Sequence, residues 1–159
     1  MTDLTKESTP DEVFAEWMRR LRSGDYKQVD GVLCRVDDSG DRSYCCLGVL
    51  TEMAVEAGLV REVITADSLG VYYVNSEDPM ESDNAGLLRP VRKWADVASL
   101  AGNIYRGKPT EGETKMPNSL AGANDGWHWS FSQIADLAEE NRDRLRESTR
   151  LAIMKKDLR

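Results

Sequence analysis

The chain of 159 residues has a single histidine, His128, only three cysteines and no long apolar run. One histidine and the lack of a Cys-x-x-Cys spacing predict that no structural zinc site is present. No apolar segment approaches the roughly 20 residues that cross a bilayer, so we expect no membrane association. The first residues are polar where a signal peptide would be basic and then apolar, so we expect a protein of the cytosol with free thiols.

Basic residues are fewer than acidic residues. The chain has 21 Lys and Arg and 28 Asp and Glu, which gives a formal net charge of −7. Sequence-independent affinity for nucleic acids comes from Lys and Arg, so this balance argues against generic binding to DNA or RNA. The segment 142–159 is locally basic, which is typical of the solvated face of a helix. Phosphate loops, dinucleotide-binding glycine motifs and nucleophile elbows are missing, and no cofactor is expected.

Apolar residues recur with helical and strand periods in turn, which predicts a single α+β domain. Thr9-Pro10-Asp11-Glu12 is a capping pattern that starts the first helix. We expect a small, mostly antiparallel sheet built from about 31–74, including a hairpin of 32–36 with 42–46, and about four helices near 10–22, 47–57, 90–101 and 131–156.

The remaining segments lack periodicity. Residues 75–88 are predicted to form an acidic loop and residues 102–126 a long functional loop, and the last helix is expected to break near Asn141. The predicted organisation is a flexible N-terminal tail (1–8), the α+β domain (9–141) and a C-terminal helical extension (142–159).

Two cysteines, Cys45 and Cys46, stand where the predicted hairpin meets the second helix. A thiol at a helix N-terminus has a lowered pKa, which would suit covalent catalysis. A general base would also be needed, and His128 is the only histidine. We therefore favour both thiols as small buried core residues and keep a cysteine-dependent site as the alternative.

The end of the first helix carries Arg22, Tyr26 and Gln28. These side chains supply a planar donor fork, a stacking ring and an amide, which together suit a nucleotide or a peptide. They equally suit a helix cap and a turn, and this structural role is favoured.

A third candidate is the segment Asn124-Asp125-Gly126-Trp127-His128-Trp129. Asn124, Asp125 and Gly126 are turn residues, and Trp127 and Trp129 on either side of His128 could form a stacking platform or an anchor for a partner protein. The alternative is that one tryptophan fills the core. Together with Tyr105, Arg106 and Lys108 in the preceding loop, this segment is the favoured binding surface.

The final segment places Leu151, Met154 and Leu158 on one helical stripe flanked by basic residues. A helix at a chain end has few neighbours to cover such a stripe. Packing against the domain and pairing with a second copy are both compatible with it, so a homodimer through the C-terminal helix is one expectation.

Several sequence pieces together resemble a family of small uncharacterised proteins encoded by bacteriophages and prophages. The pieces are Leu21-Arg22-Ser23-Gly24-Asp25-Tyr26-Lys27-Gln28, Gly31-Val32-Leu33, Tyr44-Cys45-Cys46-Leu47-Gly48-Val49-Leu50, Asn124-Asp125, Ser130-Phe131 and Ile134-Ala135-Asp136. Thr51 stands where the family often has a further cysteine, and Trp127-His128-Trp129 is not part of the pattern. The resemblance implies a viral protein with an accessory role in the cytoplasm of a bacterial host.

These observations predict a binding protein rather than an enzyme, because no complete catalytic set is present. We expect a phage accessory factor that engages and inhibits a host protein, such as a component of immune defence. One alternative is a sponge that sequesters a nucleotide second messenger through Arg22, Tyr26 and the loop at 105–108. The other is a cysteine-dependent transferase or hydrolase that uses Cys45 or Cys46.

Overall fold

The computed structural model describes residues 3–64, 70–106 and 116–157, and the α+β class is confirmed in a single domain. The helices are α1 (Pro10–Arg22), α2 (Cys46–Glu56), α3 (Arg89–Ala95), α4 (Leu120–Asp125), α5 (Phe131–Glu140), α6 (Arg142–Leu145) and α7 (Glu147–Asp157). The strands are β1 (Lys27–Gln28), β2 (Cys34–Val36), β3 (Arg42–Tyr44), β4 (Val60–Val63), β5 (Tyr72–Asn75) and β6 (Asp78–Asp83). None of the described helices is long and apolar enough to span a bilayer.

Helix α1 has the predicted bounds, and neighbouring residues set the position at which it begins. The Thr9 hydroxyl accepts a hydrogen bond from the Glu12 amide at 3.2 Å, and Pro10 occupies the first turn. Its apolar face is buried, and the Trp17 indole donates a hydrogen bond of 2.9 Å to the Cys46 carbonyl. This contact ties α1 to the start of α2.

The strands form two three-stranded sheets rather than the single sheet that the sequence predicts, and most of their pairings are antiparallel as expected. In the first sheet, β2 and β3 form the predicted hairpin, and the Asp37 carboxylate accepts from the Ser39 and Asp41 amides in its turn. The two-residue strand β1 pairs with β3 in parallel, which was not predicted. A strand this short carries no periodic signal of its own.

The second sheet has the order β4-β5-β6, and it corrects the prediction of a loop over 75–88. The middle of that segment is the strand β6, which lies at the edge of the sheet and contains Pro79 and several carboxylates. Charged residues and proline are tolerated on edge strands because one side of the strand is not hydrogen-bonded. A polar segment that contains proline can therefore form an edge strand as well as a loop.

Two further boundaries differ from prediction. Helix α3 ends at Ala95, six residues before the predicted end, because Asp96 adopts a left-handed conformation with φ 54°. The predicted loop 102–126 contains α4, whose N-terminus is capped by the Ser119 hydroxyl accepting from the Gly122 amide. Glycine, asparagine and aspartate are poor helix formers, so α4 depends on burial of Leu120, Ala123 and Asn124.

Two described segments near the ends of the chain, residues 3–8 and α6, contact the domain. Residues 3–8, predicted as a tail, include a turn whose Thr5 carbonyl accepts from the Trp94 indole at 2.9 Å. The last predicted helix breaks at Asn141 as expected and again at Arg146. Leu145 in α6 is buried, and its carbonyl accepts from the Ala98 amide, so α6 packs against the domain as well as contacting α7.

Candidate binding surface

The buried side chain of Asn124 joins three distant segments of the chain. Its Oδ1 accepts hydrogen bonds from the Cys46 amide at 3.2 Å and from Gln28 Nε2 at 2.8 Å. Its Nδ2 donates to the Val29 carbonyl at 2.9 Å and to the Asp125 carboxylate at 2.8 Å. Asn124 thereby satisfies an otherwise unpaired amide at the start of α2 and fixes α4 beside β1. We call these contacts the Asn124 junction.

The segment that links α4 to α5 is held over the Asn124 junction by its backbone. The Trp127 amide donates to the Gly122 carbonyl and the Trp129 amide to the Ala123 carbonyl, both at 3.0 Å. The Trp129 carbonyl accepts from Gln28 Nε2 at 2.8 Å. Directly after it, Ser130 and Gln133 form the predicted capping box at the start of α5. The linker therefore has a defined conformation.

The two tryptophans have different environments. Trp129 is partly buried against the core, as the alternative interpretation expected for one of them. Trp127 is 46% exposed, and its ring meets that of Trp129 edge to face with centroids 5.9 Å apart. An indole that is fixed at one edge and half exposed presents a rigid apolar surface to solvent.

His128 projects from the same linker and pairs with a residue that the sequence did not single out. Its Nδ1 lies 3.2 Å from Asp30 Oδ2, and both side chains are exposed. His128 has φ 53°, a conformation that residues with side chains rarely adopt. The sequence did not identify Asp30 as a candidate site residue, because an aspartate before a glycine is common in turns. We call Trp127, His128, Trp129 and Asp30 the tryptophan surface.

Both candidate cysteines are buried at the start of α2. Cys45 is its N-cap, with Sγ accepting from the Gly48 amide at 3.3 Å, and the Cys46 thiol donates to the Leu120 carbonyl at 3.4 Å. Burial raises the pKa of the Cys45 thiol to about 12 and that of Cys46 well above its usual range. For Cys45, burial outweighs the backbone hydrogen bonds from the Gly48 and Leu47 amides, which lower the pKa of its thiol at this helix N-terminus.

The groups near the end of α1 do not form one site. Gln28 belongs to the Asn124 junction, whereas Arg22 donates to Asp136 at 2.7 Å and to Glu139 at 3.0 Å on α5. The Tyr26 ring meets Tyr44 edge to face, and its hydroxyl accepts from Arg20. The guanidinium and ring proposed for a nucleotide are therefore engaged within the protein.

The preceding loop is anchored elsewhere. The Tyr105 amide donates to the Arg144 carbonyl at 2.9 Å, and Arg106 Nη1 donates to the Pro117 carbonyl at 2.9 Å. Lys108 lies outside the described residues. Within the described ranges, no group of three or more metal-ligating side chains is found.

Asn124 is hydrogen-bonded to Gln28 and Cys46. These three residues belong to three separate pieces of the sequence pattern that resembles the phage and prophage family. A family model, described as a domain of unknown function (DUF8296), matches residues 10–142, which is most of the chain. The chain belongs to the DUF8296 family. Comparisons with curated proteins and with solved structures found no match.

The chain also contains a charged cluster that the sequence analysis did not identify. Arg42 on β3 makes a bidentate contact with Glu62 on β4 at 2.7 and 2.9 Å, which links the two sheets. Glu52 on α2 approaches the same guanidinium at 3.9 Å, and its Oε2 is buried without a hydrogen-bond partner among the described residues. Burial, the adjacent Glu62 and the charge of Glu56 raise the pKa of Glu52 to about 8, whereas Arg42 lowers the pKa of Glu62.

We expect the protein to lose about 2 kcal/mol of stability between pH 6 and pH 8. Above about pH 4.5 the unfolded chain has released the Glu52 proton that the folded chain retains, so this stabilisation is lost as the pH rises through about 8. Chemical unfolding at both pH values measures the change. Glu52→Gln should remove most of this pH dependence, and Glu140→Gln, at an exposed position, should keep it. An unchanged slope in Glu52→Gln would contradict the assignment.

Proposed function

We propose that this chain is a phage-encoded accessory protein that engages and inhibits a host protein through the tryptophan surface. The observation that carries the proposal is the exposure of Trp127 on a linker whose backbone is fixed by hydrogen bonds. The chain acts in the bacterial host cytoplasm, which the phage resemblance implies. Membership in the DUF8296 family is compatible with the proposal and does not name a partner.

A rigid, exposed tryptophan is suited to protein binding for energetic reasons. A large ring buries much area on association and loses little conformational entropy when it is already ordered. Tryptophan is accordingly enriched among the few residues that dominate binding energy. The Asn124 junction holds α4 beneath the linker, so a partner would not need to order it.

The charges around Trp127 indicate the chemistry of the partner. Asp30 and Asp125 both accept from Asn124 Nδ2, at 3.4 and 2.8 Å, so two exposed carboxylates lie together beside the linker. A segment with an apolar side chain next to Lys or Arg would complement these carboxylates and could place its cation over an indole ring. The same carboxylates disfavour an anionic ligand at this surface.

Trp127→Ala is expected to weaken partner binding about 30-fold or more, because a central tryptophan contributes about 2 kcal/mol or more. The experiment compares capture of host proteins by the wild type and by Trp127→Ala, identifies a protein lost from the variant, and measures the affinity and the activity of that purified protein. The activity of the captured host protein should fall when the wild-type chain is added.

The matched control is Tyr72→Ala, which removes another exposed aromatic ring, on β5 in the second sheet. The control should keep full affinity, and Trp127→Ala should unfold at the wild-type temperature because its ring is half exposed. Equal affinity of wild type and Trp127→Ala would contradict the tryptophan surface, and normal activity of the bound host protein would contradict inhibition.

The two alternatives receive less support. A nucleotide sponge would require Arg22 to leave Asp136 and Glu139 and Tyr26 to leave Tyr44. A cysteine-dependent enzyme would require a thiolate at Cys45 or Cys46, which burial opposes. Neither requirement applies to binding through Trp127.

A homodimer through the C-terminal helix remains a prediction. Leu151 and Met154 on α7 are exposed and available to a second copy, whereas Leu158 of the predicted stripe lies outside the described residues. Pairing would present two tryptophan surfaces to one target and so increase avidity.

A further inference from the structure

A surface cavity of about 380 Å³ lies where the N-terminal segment, the end of α2, the β5–β6 turn and the start of α3 meet. Three of its lining residues are cationic, Lys6, Arg89 and Lys93, and one is anionic, Glu77. In a chain with a net charge of −7, this is a local excess of positive charge. A concave site concentrates the field of such charges and attracts anions.

The fold fixes Lys6 at this cavity. The Trp94 indole on α3 holds the Thr5 carbonyl at 2.9 Å, which places the next residue against the end of α2. There Gly58 adopts φ 83°, and a Cβ at this position would lie 3.4 Å from Lys6 Cε. The lysine stem therefore crosses the glycine and brings its ammonium group to the cavity.

The cations differ in how far they are neutralised. Arg89 is paired with Glu81 at 3.2 Å and with Asp78 at 3.7 Å. Among the described residues, neither Lys6 nor Lys93 has a carboxylate within ion-pair distance. Two ammonium groups from different elements thus border one cavity without an ion pair to a described carboxylate, and Glu77 is the one anionic residue among the lining residues.

We propose that this cavity binds a small molecule bearing a phosphate ester. Its volume lies in the range of small-ligand sites, and lysine binds phosphate as a point charge without demanding one geometry. The exposed Ser76 also lines the cavity and offers a hydroxyl donor. This site uses none of the residues of the tryptophan surface and does not depend on the function proposed above.

The test is a titration of the full chain with inorganic pyrophosphate at low ionic strength, followed by the NMR shifts of the Gly58 and Ser76 amides. We expect saturable shifts that weaken with added salt. Lys6→Gln and Lys93→Gln should each weaken binding about fivefold, because each removes one charge close to the ligand. Both lysines are exposed, so the two variants should unfold at the wild-type temperature.

The matched control is Lys27→Gln, which removes the same charge from an exposed position on β1 that does not line the cavity. Binding to this control should equal that of the wild type. An equal loss in Lys27→Gln and Lys6→Gln, or no saturation up to about 10 mM pyrophosphate, would overturn the site. Citrate binding as tightly as pyrophosphate would overturn the assignment of phosphate as the ligand chemistry.

Discussion

Gly48→Ala is expected to destabilise the protein by more than about 4 kcal/mol, a larger loss than most single substitutions cause. A Cβ at this position would lie 1.7 Å from the Leu33 carbonyl oxygen and 2.6 Å from its carbon. These are backbone atoms, so rotation of a side chain cannot relieve the overlap. Total stabilities of about 5–15 kcal/mol leave little after such a loss.

The close approach at Gly48 cannot relax easily because Leu33 is held on both sides. Its carbonyl accepts from the Cys45 amide at 3.2 Å, and its amide donates to the Asn84 carbonyl at 2.8 Å. Moving Leu33 away would break these bonds and disturb the buried start of β2. Gly48 therefore allows the first turn of α2 to pack directly against the first sheet.

Denaturant unfolding of wild type, Gly48→Ala and Gly86→Ala tests this explanation. In Gly86→Ala the new Cβ would lie 3.2 Å from Asp83 Oδ2, which can rotate away, and 3.2 Å from Leu100 Cβ, which needs to shift by only a few tenths of an ångström. We expect this control to cost less than about 1 kcal/mol. If Gly48→Ala cost no more than the control, β2 and α2 could separate without penalty and the packing argument would be wrong.

The sequence predicted those elements whose ends are set by neighbouring residues. Helix α1 begins at Pro10 because Thr9 caps it, and the β2–β3 turn forms because Asp37 accepts from two nearby amides. Helix α4 was not predicted, because its residues have a weak helix propensity and its stability comes from burial against distant elements. The same holds for β1, whose pairing with β3 depends on the whole domain.

The residues of the candidate site likewise fall into two groups, those that the sequence identified and those that only the structure showed. Asn124, Asp125 and the two tryptophans were selected as candidates from their residue types; in the structure Asn124 is buried and Trp127 is exposed. Gln28 is separated from Asn124 by 96 positions, so their contact has no signal in a single sequence. Glu52 and Glu62 likewise gave no signal, because carboxylates on a predicted helix and strand are usually solvated.

Asn124→Ala is expected to destabilise the protein by about 3–5 kcal/mol. The side chain is fully buried, and its loss would leave the Cys46 amide and the Val29 carbonyl without partners. Each buried polar group left unsatisfied costs about 1–3 kcal/mol, and the removed side chain also leaves a cavity. For a chain of this size, such a loss lowers the unfolding temperature by about 10 °C.

The comparison variants for Asn124→Ala are Asn141→Ala and Asn124→Asp. Among the described residues, Asn141 makes a single side-chain hydrogen bond, to the Leu137 carbonyl at 2.9 Å, so its loss should cost about 1 kcal/mol. Asn124→Asp keeps the acceptor for Cys46 and Gln28 but loses the donor to Val29. It also adds a third carboxylate beside Asp30 and Asp125, so we expect it to be more stable at pH 4 than at pH 7.

The Asn124 junction also predicts a link between stability and binding. Asn124→Ala releases the end of α4, to which the Trp127 and Trp129 amides are hydrogen-bonded, so the tryptophan surface should lose its order at temperatures where α1 is still folded. Hydrogen exchange would then be faster at the Trp127 and Trp129 amides than in α1. Uniform exchange rates with wild-type protection at both amides would show that the linker is held independently of Asn124.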